Sequence, residues 1–294
     1  MIEFKKAVRR NAKARIALCA PAGGGKTHSA LLLAAGLGKK IAVVDTENGS
    51  ASLEAGKPGI PDFDVVEMHA PFTPDKYVAV LKIAQEAGYD VVILDSISHA
   101  WAGSGGLLEE VDKRSKTSKN SYTAWRDVTP MHNRLVEGIL QSGCHVIATM
   151  RSKVDYALET NSQGKIAPRK VGLAPIQREG MDYEFTIVFD IDQASHLATA
   201  SKDRTSLFDG TTDVLTTKTG EQISEWLGQG EEALPPAPKG SPTEQAFMGI
   251  MEKQGTVFVN ATLDDDQAID KAVATLTKPI TPAEQKRAGM KRVK

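Results

Sequence analysis

Eight residues narrow the possible folds of this chain more than any other stretch: Ala20-Pro-Ala-Gly-Gly-Gly-Lys-Thr27. They stand between an apolar, β-rich run, Arg15–Ala20, and a helical run, Thr27–Gly36. Consecutive glycines let the backbone curl until several N–H groups point at one centre. The helix that follows adds its positive N-terminal end at the same place. Strand, curled loop and helix start, in that order, make a seat for phosphate-sized anions. A dinucleotide-binding turn needs Gly-x-Gly-x-x-Gly at the helix start, and that spacing is not present.

The octapeptide fits the phosphate-loop pattern GxxxxGK[ST], with Ala20 in place of the first glycine. Pro21, Ala22, Gly23, Gly24, Gly25, Lys26, Thr27 and His28 are the expected nucleotide-binding residues. Lys26 is placed to reach the β- and γ-phosphates of ATP, and the Thr27 hydroxyl to ligate Mg2+. Such a loop needs an acid at the end of an apolar strand, and Val91-Val-Ile-Leu-Asp95-Ser96 supplies it. Alone, Asp95 would be an ordinary strand-end acid; beside the loop it is the second magnesium ligand, direct or through water. A third apolar strand, Ile41-Ala-Val-Val-Asp45-Thr46-Glu47, also ends in acids. Glu47 is placed to orient an attacking water as general base. Asp45 is expected to be structural, or to act on the magnesium site from one residue further away.

These three motifs, in this order, resemble the RecA-like recombinase ATPases, which carry a catalytic glutamate at the Asp-x-Glu position and a serine after the magnesium aspartate. The resemblance spans roughly residues 14–210 and is strongest at the three nucleotide motifs. Within that superfamily the chain is most similar to short phage-encoded ATPases linked to single-strand annealing. The resemblance implies single-stranded DNA and a single-strand-binding protein as partners, and assembly of the chain into a ring or filament. It also implies that Lys202-Asp-Arg204 is a finger, Lys202 and Arg204 reaching a neighbouring subunit's ATP as further catalytic residues. One position departs from the family: Thr149-Met150 stands where a glutamine usually senses the γ-phosphate.

Two cationic segments are candidates for the DNA contacts. In the first, Arg151, Lys153, Lys165, Arg169 and Lys170 surround Tyr156; cations neutralise phosphates and an aromatic ring can stack a base. Val154–Glu159 and Lys165–Leu173 flank the turn-rich Asn161-Ser-Gln-Gly164, which predicts a hairpin or mobile loop. The second is a predicted loop, Ser104–Ser121, carrying Lys113 and Arg114. Both leave the C-terminal ends of central strands, where open α/β sheets bind ligands.

Apolar strands alternate with helical patterns from residue 15 to about 150. Strands are expected at Lys40–Asp45, Phe63–His69, Val91–Asp95 and His145–Thr149. Helices are expected at Pro74–Ala87, with Tyr77, Val80, Leu81 and Ala84 on one face, and at Ala124–Gln141. Unbroken apolar strands suit a parallel sheet buried on both faces. The predicted fold is α/β, a RecA-like P-loop NTPase. Its doubly wound, mainly parallel sheet is extended on the C-terminal side by antiparallel strands, Tyr183–Ile191 and His196–Lys202. Four regions are expected: a basic leader (1–14), an ATPase core (15–228), a proline-rich linker (229–240) and a small helical or partly disordered appendage (241–294).

Composition excludes several other classes. Net charge is −1, so any nucleic-acid contact must rest on local clusters. The two cysteines, Cys19 and Cys144, lie in apolar runs without a metal-ligand spacing and read as small core residues in a reducing compartment. No apolar run is long enough for a membrane span and none follows the basic leader as in a secretory signal, so the cytoplasm is the expected location. A hexameric helicase-type motor, a P-loop small-molecule kinase and a nucleotide-gated scaffold are the alternative functions. A motor usually needs a further ring-closing domain, a kinase an acceptor pocket and lid, and intact Lys26, Thr27, Asp95 and Glu47 weigh against the scaffold.

Overall fold

The computed structural model describes residues 6, 8, 11–118, 121–160 and 166–230, without the side chains of 154–172. Lys165, the linker beyond Gly230 and the segment 241–294 lie outside the described residues.

The first strand, β1 (Arg15–Ala20), is buried at all six positions. The loop 21–25 leads into α1 (Lys26–Leu37), whose N-cap is Gly25 at φ 76°. That left-handed backbone is one a side chain resists, so glycine is the fitting residue there. Then come β2 (Ile41–Asp45), β3 (Asp64–Glu67), α2 (Pro74–Glu86) and β4 (Val91–Asp95). Helices α3 (Ser98–Ala102), α4 (Leu107–Ser118) and α5 (Ser121–Gln141) follow. The rest comprises β5 (His145–Thr160), β6 (Ile166–Pro175), β7 (Ile187–Ile191), β8 (Ala198–Asp203), β9 (Thr212–Asp213) and α6 (Thr217–Gly228).

The strands run in the order β3-β2-β4-β5-β1-β7-β8-β9, with β6 paired to β5 alone. Neighbours from β3 to β7 are parallel, and β8 and β9 close the C-terminal side antiparallel. Side chains alternate across each strand, so the apolar runs feed two cores. Ile16, Leu18, Val43, Ile93, Ile147 and Phe189 pack on one face with Leu31 and Leu33 of α1 and Ile223 and Leu227 of α6. Ala17, Cys19, Val44, Val92, Leu94, Val146 and Val188 pack on the other with Tyr77, Leu81 and Ala84 of α2 and Leu135 and Ile139 of α5. The fold is the expected doubly wound one, and the predicted inner face of α2 is the buried one.

Helices α1 and α6 meet backbone to backbone. A Cβ on Gly36 would lie 2.2 Å from the Thr217 carbonyl, and one on Gly220 would lie 2.2 Å from the Leu33 carbonyl. Only glycine fits at that crossing, which holds the helix behind the phosphate loop against the C-terminal end of the core.

Several expectations change. The segment Ser104–Ser121, expected as a loop, is largely the helix α4. Its charges are spaced i,i+4, and Glu109–Lys113 and Glu110–Arg114 pair at 2.9 and 2.6 Å. The strand expected to stop at Thr149 continues to Thr160 and forms a hairpin with β6. Arg15, counted above with the strand at its start, is a buried residue. Its guanidinium donates to the carbonyls of Ala14 and Cys144 at 2.9 and 2.8 Å and also to Leu140 and Ser142. Burial lowers its pKa to about 10. Both cysteines are free and buried. Among the described residues, no helix is long and apolar enough to cross a membrane.

Candidate nucleotide site

The C-terminal ends of the central parallel strands bring the three sequence motifs together. In register, Asp45 of β2 lies beside Asp95 of β4, and Ala20 of β1 lies beside Arg151 of β5. The loop after β1 turns back through Gly23 and Gly25, both at φ 76°. Lys26 is nearly buried, and its ammonium donates to the carbonyls of Ala20 and Pro21 at 3.2 and 3.0 Å. Burial pushes that ammonium below its ordinary pKa, while the charges of Glu47 and Asp95 pull it the other way. The turn between β7 and β8 rests on the loop: Gln193 Nε2 donates to the Ala22 carbonyl at 2.8 Å. A cavity of about 440 Å³ opens beside the start of α1, lined in part by Gly25, His28, His196 and Leu215. His28 reaches across to Glu54 at 2.9 Å.

Asp95 is buried, and two hydroxyls hold its carboxylate. Thr27 Oγ1 donates to Oδ2 at 2.5 Å and Thr149 Oγ1 to Oδ1 at 2.6 Å. Burial raises its pKa; the two hydroxyl bonds offset part of that, and Glu47 and Asp45 add to it. Among the described residues, Asp95 forms no ion pair. A buried carboxylate touching a hydroxyl, with no cation on it, is a donor set that fits a hard divalent ion. Among the described residues no three His, Cys, Asp or Glu side chains cluster as a metal cage. Magnesium usually completes its shell with water and substrate phosphates, so Thr27 and Asp95 would be its protein ligands.

Asp45 is structural. Its carboxylate accepts the backbone N–H groups of Glu47 and Ala51 at 2.6 and 2.8 Å, fixing the turn that carries Glu47. Thr46 fastens the same turn to β4, its backbone N–H donating to the Asp95 carbonyl at 2.7 Å. His99 Nδ1 is 2.7 Å from Thr46 Oγ1, and its ring stacks on Phe72. The Glu47 carboxylate accepts from Arg151 Nε at 2.9 Å. Burial pushes its pKa up, but Arg151, with Lys26 and His99, outweighs burial and holds it below the ordinary glutamate value.

Lys26, Thr27, Asp95 and Glu47 therefore share one site, and sequence reasoning missed that Arg151 joins them. The sequence places Arg151 in the cationic DNA-contact segment; in the structure its side chain lies on Glu47. Arg151 lies within β5, the strand between β1 and β4, at the register position of Ala20. Lys202 and Arg204 lie elsewhere. β8 runs antiparallel, so Asp203 pairs with Ile187 at the start of β7, the end of the sheet away from the phosphate loop. There Lys202 Nζ donates to the Asp182 and Tyr183 carbonyls, and Arg204 donates to Tyr183 at 2.9 Å. Neither can serve this subunit's own site. Lys113 and Arg114 are occupied by their helix partners, and Lys153 is exposed at the base of the hairpin. The side chains of Tyr156, Arg169 and Lys170 lie outside the described residues.

The model of the AAA domain matches residues 12–224, from just before β1 into α6. The chain belongs to the AAA domain family. No curated protein matches it. The AAA domain and the geometry agree on a P-loop ATPase: the match covers the phosphate loop, Glu47 and Asp95 together, and the parallel sheet presents all three at one edge.

Proposed function

We propose that this AAA-domain protein hydrolyses magnesium-bound ATP as a homo-oligomer on single-stranded DNA, in recombination or annealing of the phage type. A single-strand-binding protein is the expected further partner, and hydrolysis is slow until DNA is bound. One observation carries the DNA reading. Strand β5 crosses the centre of the sheet, passes the start of the phosphate loop at Arg151, and continues into a two-stranded ribbon paired from Ser152↔Pro175 to Thr160↔Ile166, with one register shift at Asp155/Tyr156. Residues 151–178 carry six Lys or Arg against two carboxylates. A cationic ribbon joined covalently to the nucleotide site suits a polyanion whose binding is felt by the ATPase.

The chemistry follows from the residues present. The loop N–H groups and Lys26 bind the phosphates, and the cavity beside His28 and His196 takes the nucleoside. Thr27 and Asp95 would hold the magnesium ion, which when bound neutralises phosphate charge. Thr149 fixes the Asp95 carboxylate so that one oxygen faces Thr27. Glu47 accepts the proton of the attacking water.

Fluorescence anisotropy of a labelled oligo-dT tests the DNA contact. Wild type is expected to bind with a steep salt dependence, and the triple variant Lys153→Glu, Arg169→Glu, Lys170→Glu to bind at least about tenfold more weakly with a shallower salt slope. Equal affinity in the two would contradict the ribbon as the DNA contact.

A further inference from the structure

Hydrolysis of the β–γ bond places a specific demand on the site. A bond forms between the water oxygen and the γ-phosphorus, and the bond to the bridging oxygen breaks with its electron pair leaving on ADP. The water proton passes to Glu47. Negative charge builds on the bridging oxygen and on the transferring group, where fixed cations accelerate the step most. Lys26 is one such cation. Lys202 and Arg204 are at the far end of this subunit's own sheet, so neither supplies a second cation in cis.

Arg151 meets the requirement from within the same chain. It is the register neighbour of Ala20, where the phosphate loop begins. Its backbone is pinned on both sides, its N–H donating to Ser98 Oγ at 2.9 Å and its carbonyl accepting from the Ile176 N–H at 2.6 Å. Its Nε donates to Glu47 Oε1, which sets the plane of the guanidinium. Among the described residues the two terminal nitrogens donate no hydrogen bond, and the side chain is 43% exposed beside Glu47. Arg151 is also near enough to Lys26 for its charge to lower the pKa of that ammonium beyond the effect of burial.

We propose that Arg151 is a further catalytic residue of this ATPase, a cation supplied in cis to the terminal phosphoryl group and aligned there by Glu47. The inference rests on the nucleotide-site reading. The two acidic roles at Glu47 are compatible: Oε1 aligns the guanidinium, and Oε2, without a hydrogen bond among the described residues, remains for the water. The position suits arginine rather than lysine, because only arginine can give Nε to the carboxylate and keep two donors for phosphate oxygens.

The test compares binding of ATP and of ADP with aluminium fluoride, a mimic of the transferring phosphoryl group, by calorimetry in magnesium. Arg151→Ala is expected to bind ATP within about threefold of wild type, to bind ADP–aluminium fluoride at least about tenfold more weakly, and to lose about 10²-fold in kcat. Arg151→Lys is expected to fall between the two, since it keeps the charge and loses the Nε donor. Wild-type affinity of Arg151→Ala for ADP–aluminium fluoride would overturn the proposal. So would loss of its ATP binding, which would mean a role in the ground state or the fold. Lys26→Ala is the control for the site itself: normal ATP binding in that variant would instead sink the nucleotide-site reading on which the proposal stands.

Discussion

Thr149 Oγ1 donates to Asp95 Oδ1 at 2.6 Å, from the strand β5 that lies between the phosphate-loop strand β1 and the strand β4 that ends in Asp95. The residue that stands where RecA-like proteins usually carry a glutamine is thus bonded to the candidate magnesium ligand. Thr149→Val leaves one oxygen of a buried carboxylate without a partner, which costs about 1–3 kcal/mol. The denaturation midpoint of the metal-free protein should fall accordingly, and Mg-ATP should bind more weakly. Thr149→Ser should restore both. An unchanged midpoint in the valine variant would show that the hydroxyl does not hold Asp95.

Glu47, the proposed base, accepts from Arg151 Nε at 2.9 Å. Glu47→Gln still accepts from Arg151 but cannot take a proton. ATP affinity should stay near the wild-type value while kcat falls about 10²–10⁴-fold. Steady-state kinetics with a separate binding measurement checks this, and unchanged turnover would remove Glu47 from the mechanism.

Two buried histidines give the fold an acid-sensitive window. Burial lowers the pKa of His145 to about 4, with Lys13 and Arg15 adding to the shift, while its Nδ1 accepts the Ala14 N–H at 3.0 Å. Burial, then the charge of Arg178, lowers His132 to about 4 as well. A histidine whose folded pKa lies below its unfolded value of 6.5 stabilises the fold above pH 6.5, and that stability is lost as pH falls toward 4. Between pH 7 and 5 each should cost about 2 kcal/mol. Melting temperatures should drop over that range, and His145→Asn, which keeps an acceptor for Ala14, should flatten the curve. An identical pH dependence in wild type and His145→Asn would contradict this assignment.

Lys202 and Arg204 sit at the end of the sheet opposite their own phosphate loop, so any catalytic role must be played on a neighbour. Arg204→Ala mixed with Glu47→Gln should then recover part of the ATPase activity that each variant lacks alone. No recovery across mixing ratios would remove the finger from the mechanism.

Much of this was legible in the sequence because it is local. The phosphate loop, the two acid-ended strands and the inner face of α2 are each written in a few adjacent residues. What was missed depends on contacts between distant segments. Arg151 meets Glu47 across a separation of 104 residues, and nothing in Arg151-Ser-Lys153 distinguishes a catalytic cation from a DNA contact. The glycine contact between α1 and α6 joins Gly36 to Gly220 and leaves no local pattern. Helix α4 could have been found: Glu109–Lys113 and Glu110–Arg114 have the i,i+4 spacing of helix pairs, but its low apolar content and the preceding Gly105-Gly106 read as a loop. Helix α6 hides for a related reason, its N-terminal box being formed by Thr216 and Thr219 rather than by a glutamate.

Steady-state ATP hydrolysis, measured with and without single-stranded DNA over a range of protein concentrations, bears most directly on the whole account. It predicts a magnesium-dependent rate that rises with DNA and climbs more than linearly with protein. A rate indifferent to both DNA and protein concentration would leave the ATPase site standing and contradict its use by an oligomer on single-stranded DNA.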